Sequence, residues 1–401
     1  MKKTLMLLLV AITLLSACAP ATAAQPTVPA PTSSPTVTIT PTQLPTNTPR
    51  PTSTPNYPIT IQTPIPNIQP ITKENVVDIR PLFRLMPEGS QPIFKIAGSG
   101  PRHPLWVFSA DMSHMAFVQP NTVSFTDIAG TGKPIQSLRL TGQTRPWSDG
   151  AFLKDNKFLA LGQGSLSLFD LASGNELKKT DLYCCLNKKL FLMPDGERAL
   201  VPSRTGLDLY DLVKLKRIQG YDAPGNSSMV WDASPDGKLL ATAGERNPIV
   251  FIFDVEKAVV LRTLTVERFP AVNVKFFPDG KQLMLTDELG AFKLVQFWDM
   301  ETGKKTREIQ LTDEMLSLPA NTPFRVASVV IHPSGKFFVM AISSSSPLLV
   351  FWETNADEPF AVMDMKSKGI PSFNYATKTD FMEFIDESRL LIIDKIWGVV
   401  P

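Results

Sequence analysis

The sequence predicts an all-β protein: a seven-bladed β-propeller of four-stranded antiparallel blades, preceded by a disordered Pro/Thr-rich tether. Two observations predict the ring. A turn related to Pro-Asp-Gly returns seven times between apolar, strand-like runs, and an apolar-aromatic-acidic triplet follows most of these turns. Successive turns are roughly 40 to 55 residues apart, close to the period of a propeller blade. The seven turns are Ala110-Asp111-Met112, Lys154-Asp155-Asn156, Pro194-Asp195-Gly196, Pro235-Asp236-Gly237, Pro278-Asp279-Gly280, Pro333-Ser334-Gly335 and Asp386-Glu387-Ser388.

Each unit contains the signals for four strands. In Pro-Asp-Gly, proline presets φ, aspartate binds the turn backbone, and glycine adopts the positive φ that closes a hairpin. An apolar second strand such as 239–242 follows, and the triplet ends the third strand. The acid of the triplet begins a second turn, which leads to a fourth strand such as 260–264. The triplets are Leu168-Phe169-Asp170, Leu209-Tyr210-Asp211, Ile252-Phe253-Asp254, Phe297-Trp298-Asp299 and Phe351-Trp352-Glu353.

Residues 234–264 and 276–309 resemble WD40 repeats, and the resemblance covers about residues 80–400. Only Trp298-Asp299 is a literal Trp-Asp pair, and the Gly-His dipeptide of many such repeats is absent from the sequence. Residues 121–127 are also similar to the related bacterial repeats named for Tyr-Val-Thr-Asn. The repeat subtype therefore stays open between these two.

Ring closure predicts where the seventh blade finds its last strand. The final unit stops after a third strand at residues 395–399. The segment from Ile79 to Ala97 precedes the first complete unit, and we expect it to supply the missing strand. Closure of this kind protects the sheet edges that an open array exposes.

The N-terminus predicts export and lipid attachment. Lys2 and Lys3 precede an apolar run that is shorter than a membrane span, which is typical of a signal peptide over residues 1–17. The run ends in Leu15-Ser16-Ala17-Cys18, which resembles a bacterial lipobox. That resemblance implies a diacylglycerol on Cys18 and a lipid-anchored protein on the extracytoplasmic side of a bacterial membrane. The alternative is an ordinary signal peptide with an incidental cysteine.

The composition of residues 18–72 predicts a disordered linker, and the repeats predict that the propeller spans residues 73–401. Between Cys18 and Thr72 there are 14 prolines and 14 threonines, no acidic residue, and Arg50 as the single base. Such a composition lacks the apolar groups that a core requires and favours an extended, solvated chain.

Charge and motifs exclude several function classes. The precursor has 40 basic and 38 acidic side chains. Removal of Lys2 and Lys3 with the signal peptide leaves 38 of each, so we expect no nucleic-acid partner. The three histidines, His103, His114 and His332, fit no catalytic or metal motif, and we expect neither cofactor nor metal. Cys184 and Cys185 are either a vicinal disulfide or two thiols.

The WD40 resemblance implies that the connections between blades share one face with the loops between second and third strands, and that this face binds partners. Trp147 is the best candidate for an exposed aromatic contact, with packing under its loop as the alternative. We therefore predict a monomeric, non-catalytic binding or scaffold module for a protein or other surface ligand. The alternative is an exported propeller hydrolase, lactonase-like or carbohydrate-acting, with His, Asp, Glu or Arg side chains around the central channel. The candidate binding residues are Arg145, Trp147, Tyr221, Arg246, Phe269, Arg325 and Tyr375, with Glu245, Arg268, Phe324 and Phe373 beside them.

Overall fold

The computed structural model describes residues 68–84, 105–109, 114–118, 122–127, 134–139, 147–162, 164–182, 189–203, 206–222, 229–244, 248–266, 271–287, 293–370, 382–392 and 395–400. Within these ranges the chain forms 28 β-strands and one short 3-10 helix, η1 (Val76–Asp78). The predicted signal peptide, Cys18 and most of the predicted tether lie outside the described residues.

The strands form seven four-stranded antiparallel sheets, which are the blades of a ring. Blade 1 comprises β2 (Leu105–Phe108), β3 (His114–Val118), β4 (Thr122–Asp127) and β5 (Pro134–Arg139). Blade 2 comprises β6 (Trp147–Leu153), β7 (Lys157–Gly162), β8 (Ser165–Asp170) and β9 (Glu176–Asp181). Blade 3 comprises β10 (Phe191–Leu192), β11 (Arg198–Pro202), β12 (Gly206–Asp211) and β13 (Lys216–Asp222). Blade 4 comprises β14 (Met229–Ala233), β15 (Leu239–Gly244), β16 (Ile249–Asp254) and β17 (Val259–Thr265).

The remaining blades complete the ring and confirm the predicted fold class. Blade 5 comprises β18 (Ala271–Phe276), β19 (Gln282–Asp287), β20 (Leu294–Asp299) and β21 (Lys305–Gln310). Blade 6 comprises β22 (Arg325–Ile331), β23 (Phe337–Ser343), β24 (Leu348–Glu353) and β25 (Ala361–Asp364). Blade 7 comprises β26 (Met382–Phe384), β27 (Leu390–Ile392), β28 (Lys395–Gly398) and, from the other end of the chain, β1 (Arg80–Arg84). The first strands of successive blades contact one another, so they are innermost.

Blade 7 closes the ring as the sequence predicts. Its sheet has the order β26-β27-β28-β1, so the N-terminal strand occupies the outer position. Arg80 pairs with Gly398 and Phe83 pairs with Ile396 in an antiparallel register. The closing strand thus comes from the range predicted to supply it.

The packed part of the chain begins earlier than the predicted boundary at residue 73. Gln69 forms an isolated antiparallel bridge with Val399, and the Ile71 N–H donates to the carbonyl of Glu387 at 2.8 Å. Ile71 is 1% exposed and packs in the core between blades 6 and 7. Gln69 and Ile71, which the prediction placed in the linker, therefore pack against blade 7.

The core is divided into layers between neighbouring blades. Buried apolar side chains form seven clusters, and each draws on two consecutive blades. At the closure, Met115 and Phe117 of blade 1 pack with Leu391 and Ile396 of blade 7. Since no layer stands alone, each blade is stabilised by its neighbours on both sides.

The predicted turn chemistry is present in the first hairpin of the blades. Gly196, Gly237, Gly280 and Gly335 have φ between +68° and +71°, a conformation that favours glycine. In blade 3 the Asp195 carboxylate accepts a hydrogen bond from the N–H of Glu197 at 2.8 Å. The turn therefore satisfies its own backbone donors.

Candidate functional site

Antiparallel strand order gives the propeller two different faces. The turns between first and second strands, and between third and fourth strands, share one face, which we call the turn face. The loops between second and third strands share the opposite face with the connections between blades, and we call it the inter-blade face. This arrangement follows from the sheet orders of all seven blades.

The turn face is regular. The connection between first and second strands has five residues in every blade except blade 2, where it has three. The acids that end third strands accept hydrogen bonds from the next turn: Asp170 binds the N–H of Ser173 and Asp299 binds the N–H of Thr302, both at 2.7 Å. Hydrogen bonds from Ser173 and Thr302 hold the pKa values of these exposed aspartates below the usual value. The polar groups of this face are thus largely used within the fold.

The inter-blade face is irregular. Its blade-to-blade connections range from five residues between β17 and β18 to twenty between β1 and β2. The connection from blade 5 to blade 6, residues 311–324, is described throughout. Leu311, Leu316 and Phe324 are buried, and Lys293 lies 4.0 Å from the centre of the Phe324 ring. Arg325 follows this connection and is exposed.

Two predicted contact residues are buried. Trp147 is 4% exposed at the start of β6, where its ring packs edge-on against Phe169. A Cβ at Gly162 would lie 3.1 Å from the Trp147 ring, so glycine makes room for the indole. Tyr221 is 1% exposed, and its hydroxyl donates to the carbonyl of Val255 at 2.6 Å. Trp147 thus follows the packing alternative, and Tyr221 is buried in the same way, because each ring fills a layer between blades.

Of the other predicted residues, the structure describes Arg325 and Phe324, and the rest lie outside the described residues. Arg325 is exposed on the inter-blade face, whereas Phe324 beside it is buried. The predicted site residues outside the described residues are Cys18, Arg145, Cys184, Cys185, Glu245, Arg246, Arg268, Phe269, Phe373 and Tyr375.

An ion pair crosses the central channel. The Lys189 Nζ lies 3.6 Å from a carboxylate oxygen of Glu383. Lys189 precedes β10 of blade 3, and Glu383 lies in β26 of blade 7. Since blades 3 and 7 are not neighbours in the ring, their side chains meet only across the channel. Sequence reasoning missed this pair: the charge of Glu383 in β26 was visible in the sequence, but its partner in blade 3 was not.

A buried carboxyl lies close to this pair. Asp149 in β6 is 5% exposed, and its two oxygens accept the N–H groups of Gly150 at 2.7 Å and Leu190 at 2.6 Å. Burial raises the pKa of Asp149 to about 7, against the lowering effect of Lys189 and the two backbone donors. Asp232 in blade 4 has a similar role, because it accepts the N–H of Phe276 in blade 5 at 2.8 Å.

His332 has a structural position. Its Nε2–H donates to the carbonyl of Glu387 at 3.1 Å, which leaves Nδ1 to accept from the Ser334 hydroxyl at 2.7 Å. The ring stacks on Phe337 at 4.3 Å between centroids. Burial lowers the pKa of His332, so the neutral imidazole joins blades 6 and 7.

An open groove of about 710 Å³ lies on the outer side of blade 6, between residues 312–317 and 358–362. Its walls include the carboxylates of Glu314 and Glu358 together with Met315 and Phe360. Within the described residues no group of three or more His, Cys, Asp or Glu side chains is placed to hold a metal ion. Among the same residues, no helix has the length and hydropathy that a bilayer crossing needs.

Comparisons with known proteins support the fold. A chain in the crystal structure of the mitotic checkpoint complex is similar to this one, with 16% identity and a TM-score of 0.56, over 79% of this chain and 96% of that one. The protein KlHsv2, in a form with loop 6CD replaced by a Gly-Ser linker, has 14% identity and a TM-score of 0.52 over 71% and 86%. No protein-family model matches the sequence, and no curated protein matches it either. At these identities the likeness is one of fold.

Proposed function

We propose that the protein is a non-catalytic binding or scaffold module, held at the extracytoplasmic side of a bacterial membrane by a lipid on Cys18 and the predicted tether. The observation that carries this proposal is the contrast between the two faces. The connections of the turn face have three to seven residues, whereas the inter-blade connections range from five to twenty. Irregular loops on a regular scaffold are typical of binding surfaces.

Two further observations support a protein as the partner. One similar structure is a chain of a multi-protein complex, the mitotic checkpoint complex. On the inter-blade face of this chain, exposed Arg325 follows a connection packed by buried Leu316 and Phe324. A positioned arginine on a packed support is typical of a binding hot spot.

Capture of partners by the detergent-extracted protein tests the binding face. Arg325→Ala should weaken capture about fivefold or more, since loss of a hot-spot side chain costs at least about 1 kcal/mol. Lys304→Ala is the matched control, because it also removes one exposed cation but lies in a turn of the opposite face. Both variants must melt like the wild type. If Arg325→Ala captures partners as well as the wild type and Lys304→Ala does not, binding occurs on the turn face and the proposal is contradicted.

The anchor has its own test. Mass spectrometry of the N-terminal peptide should find a diacylglycerol on Cys18 in the wild type, and unprocessed precursor in Cys18→Ser. An unmodified mature N-terminus that begins elsewhere would contradict the lipoprotein assignment.

The channel ion pair favours the second candidate, a propeller hydrolase, because Glu383 and Lys189 place ionisable groups in the channel. Turnover of a lactone or glycoside by the purified protein decides between the two functions. If turnover is present in the wild type and lost in Glu383→Gln, the hydrolase replaces the binding module.

A further inference from the structure

Two well-anchored segments form the walls of the groove on the outer side of blade 6. One wall is residues 312–317, where Leu316 is fully buried in the layer between blades 5 and 6. The other wall is residues 358–362, where the N–H of Phe360 donates to the carbonyl of Phe351 at 2.9 Å. The groove is therefore already formed in the free protein, as binding sites usually are.

The lining of the groove combines apolar and acidic side chains. Met315 and Phe360 are half-buried, and the carboxylates of Glu314 and Glu358 are exposed, one on each wall. The described lining residues include no base. Within the described part of the chain, neither of these carboxylates takes part in an ion pair. Both are therefore available to a cation from outside the chain.

The charge of blade 6 sets it apart from blades 2 to 5. In each of those four blades, the eleven residues after the acid that ends the third strand contain two or three bases and one or two acids. In blade 6 the same span, residues 354–364, contains three acids and no base. The connection 311–324 on the other side of the groove adds two acids and again no base. The groove thus lies between two segments that are both negatively charged. The spans compared in the other blades are 171–181, 212–222, 255–265 and 300–310.

The residues around the groove show how such a surface holds a cation. The Lys293 Nζ lies 4.0 Å from the centre of the Phe324 ring and 3.3 Å from a carboxylate oxygen of Asp313. The Arg307 guanidinium likewise lies 4.0 Å from the centre of the Phe297 ring. A cation over a phenylalanine ring is attracted by the ring electrons, and a nearby carboxylate adds to that attraction. The fold therefore uses this arrangement beside the groove.

The groove has the same ring and carboxylates but lacks a matching cation. The Lys73 Nζ lies 5.8 Å from the centre of the Phe360 ring, but its ion pair is with Glu353, at 3.0 Å. Among the described residues no base pairs with Glu314 or Glu358. A cationic side chain of a ligand would complete the arrangement.

We propose that this groove binds an extended, basic segment of a partner protein. A lysine or arginine of that segment places its cation between Glu314 and Glu358, while its apolar stem packs on Met315 and Phe360. The groove is open to solvent, which suits a peptide chain, because small ligands bind in clefts that bury most of their surface. β25 is also the outermost strand of its sheet, and such an edge accepts backbone hydrogen bonds from an added chain.

Fluorescence anisotropy with the full mature chain in non-ionic detergent tests the proposal. The probe is a short fluorescein-labelled peptide in which lysine alternates with valine, and detergent alone is the blank. The wild type should bind this peptide at low salt and release it as the salt concentration rises. Replacement of the lysines by glutamate should abolish binding. Replacement of the valines by serine should weaken binding about threefold or more.

Paired variants locate the bound peptide. Glu314→Gln with Glu358→Gln should weaken binding about fivefold or more, since the amides carry no charge. Glu176→Gln with Glu301→Gln is the matched control, because it removes two exposed carboxylates from the second turns and outer strands of blades 2 and 5. That control should bind the peptide as the wild type does. Both double variants must melt like the wild type.

Three results would overturn the proposal. Absence of binding by the wild type means that the groove holds no basic segment. Equal losses in the two double variants mean that the peptide responds to overall charge. If Arg50→Ala binds the peptide about fivefold more tightly than the wild type, the single base of the predicted tether already occupies the groove. The proposal does not depend on a lipid at Cys18, and Arg325 is not among the lining residues, so its failure is distinguishable from failure of the proposed function.

Discussion

The inner and outer edges of the blades satisfy their polar groups in different ways. At the channel, carboxylates reach from one blade to the backbone of the next, as Asp149 does to Leu190 and Asp232 to Phe276. At the outer edge the link is a long cation: Lys178 of β9 donates to the carbonyl of Val213 in blade 3, and Arg262 of β17 donates to the carbonyl of Glu301 in blade 5. The comparison teaches that neighbouring blades are joined at both edges, by carboxylates that accept backbone N–H groups inside and by long cations that donate to backbone carbonyls outside. Blade 7 is the exception, because its outer strand β1 is also the ring closure.

The largest effect on stability is expected from removing β1, the outer strand of blade 7. Deletion of residues 68–84 takes away β1 together with Ile71 and Ile79, which are each 1% exposed in the blade 6–7 core. We expect the cooperative thermal transition to disappear, since Trp397 and Val399 would lose their cover. Deletion of residues 19–66 is the control and should leave the transition unchanged. Circular dichroism melting measures both, and a normal melt for the first deletion would show that the outer edge of blade 7 is dispensable.

The pH dependence of stability tests the inner edge. The pKa of Asp149 is raised from 3.8 to about 7 in the folded protein. Between these pH values the unfolded chain has lost a proton that the folded chain retains. The free energy of unfolding therefore falls as pH rises, by up to about 1.4 kcal/mol per pH unit, and the loss is complete above the folded pKa.

In Asp149→Asn this slope should be absent. The amide keeps only one of the two oxygens that accept the N–H groups of Gly150 and Leu190, so the variant should be less stable than the wild type at pH 4.5 and approach it at pH 7.5. Urea unfolding at several pH values measures the difference. Parallel profiles for the two proteins would contradict a raised pKa at this position.

A matched pair of carboxylates compares the two edges directly. Asp232→Ala leaves the Phe276 N–H without its acceptor, which we expect to cost about 1 to 3 kcal/mol of unfolding free energy. Asp181→Ala removes an exposed carboxylate from the end of β9, and should cost no more than about 0.5 kcal/mol. Denaturant midpoints measure both changes. Equal costs would mean that the inner carboxylate does not stabilise the neighbouring blade.

The smallest effect is expected at Leu261, which is left unpaired where the register between β16 and β17 shifts by one residue. Leu261→Thr copies the residue that blade 5 has at the same position, and should change the melting temperature by about 2 °C or less. A larger loss would show that the bulge residue contributes to packing between blades. Thermal melting at fixed pH and salt is sufficient for this measurement.

Local patterns predicted the blades because each depends on a few adjacent residues. The Pro-Asp-Gly turns and the buried third-strand Trp298 and Trp352 follow directly from the sequence. Burial of Trp147 did not, since it depends on Gly162, which has no side chain and pairs with Trp147 across the hairpin. The Lys189–Glu383 pair was out of reach for a different reason. It joins blades that are distant in sequence and not adjacent in the ring, so no spacing along the chain predicts it.

The bridge between Gln69 and Val399 has a consequence for the order of synthesis. The strand that closes the ring is among the first parts of the propeller to be made, and its partner β28 is among the last. During synthesis, β1 therefore cannot pair until almost the whole chain has been made. Contacts of such long sequence separation form slowly, and an unpaired apolar strand is exposed to aggregation meanwhile. The protein is therefore most sensitive to its surroundings during the delay before β1 pairs, and less so once the ring is complete.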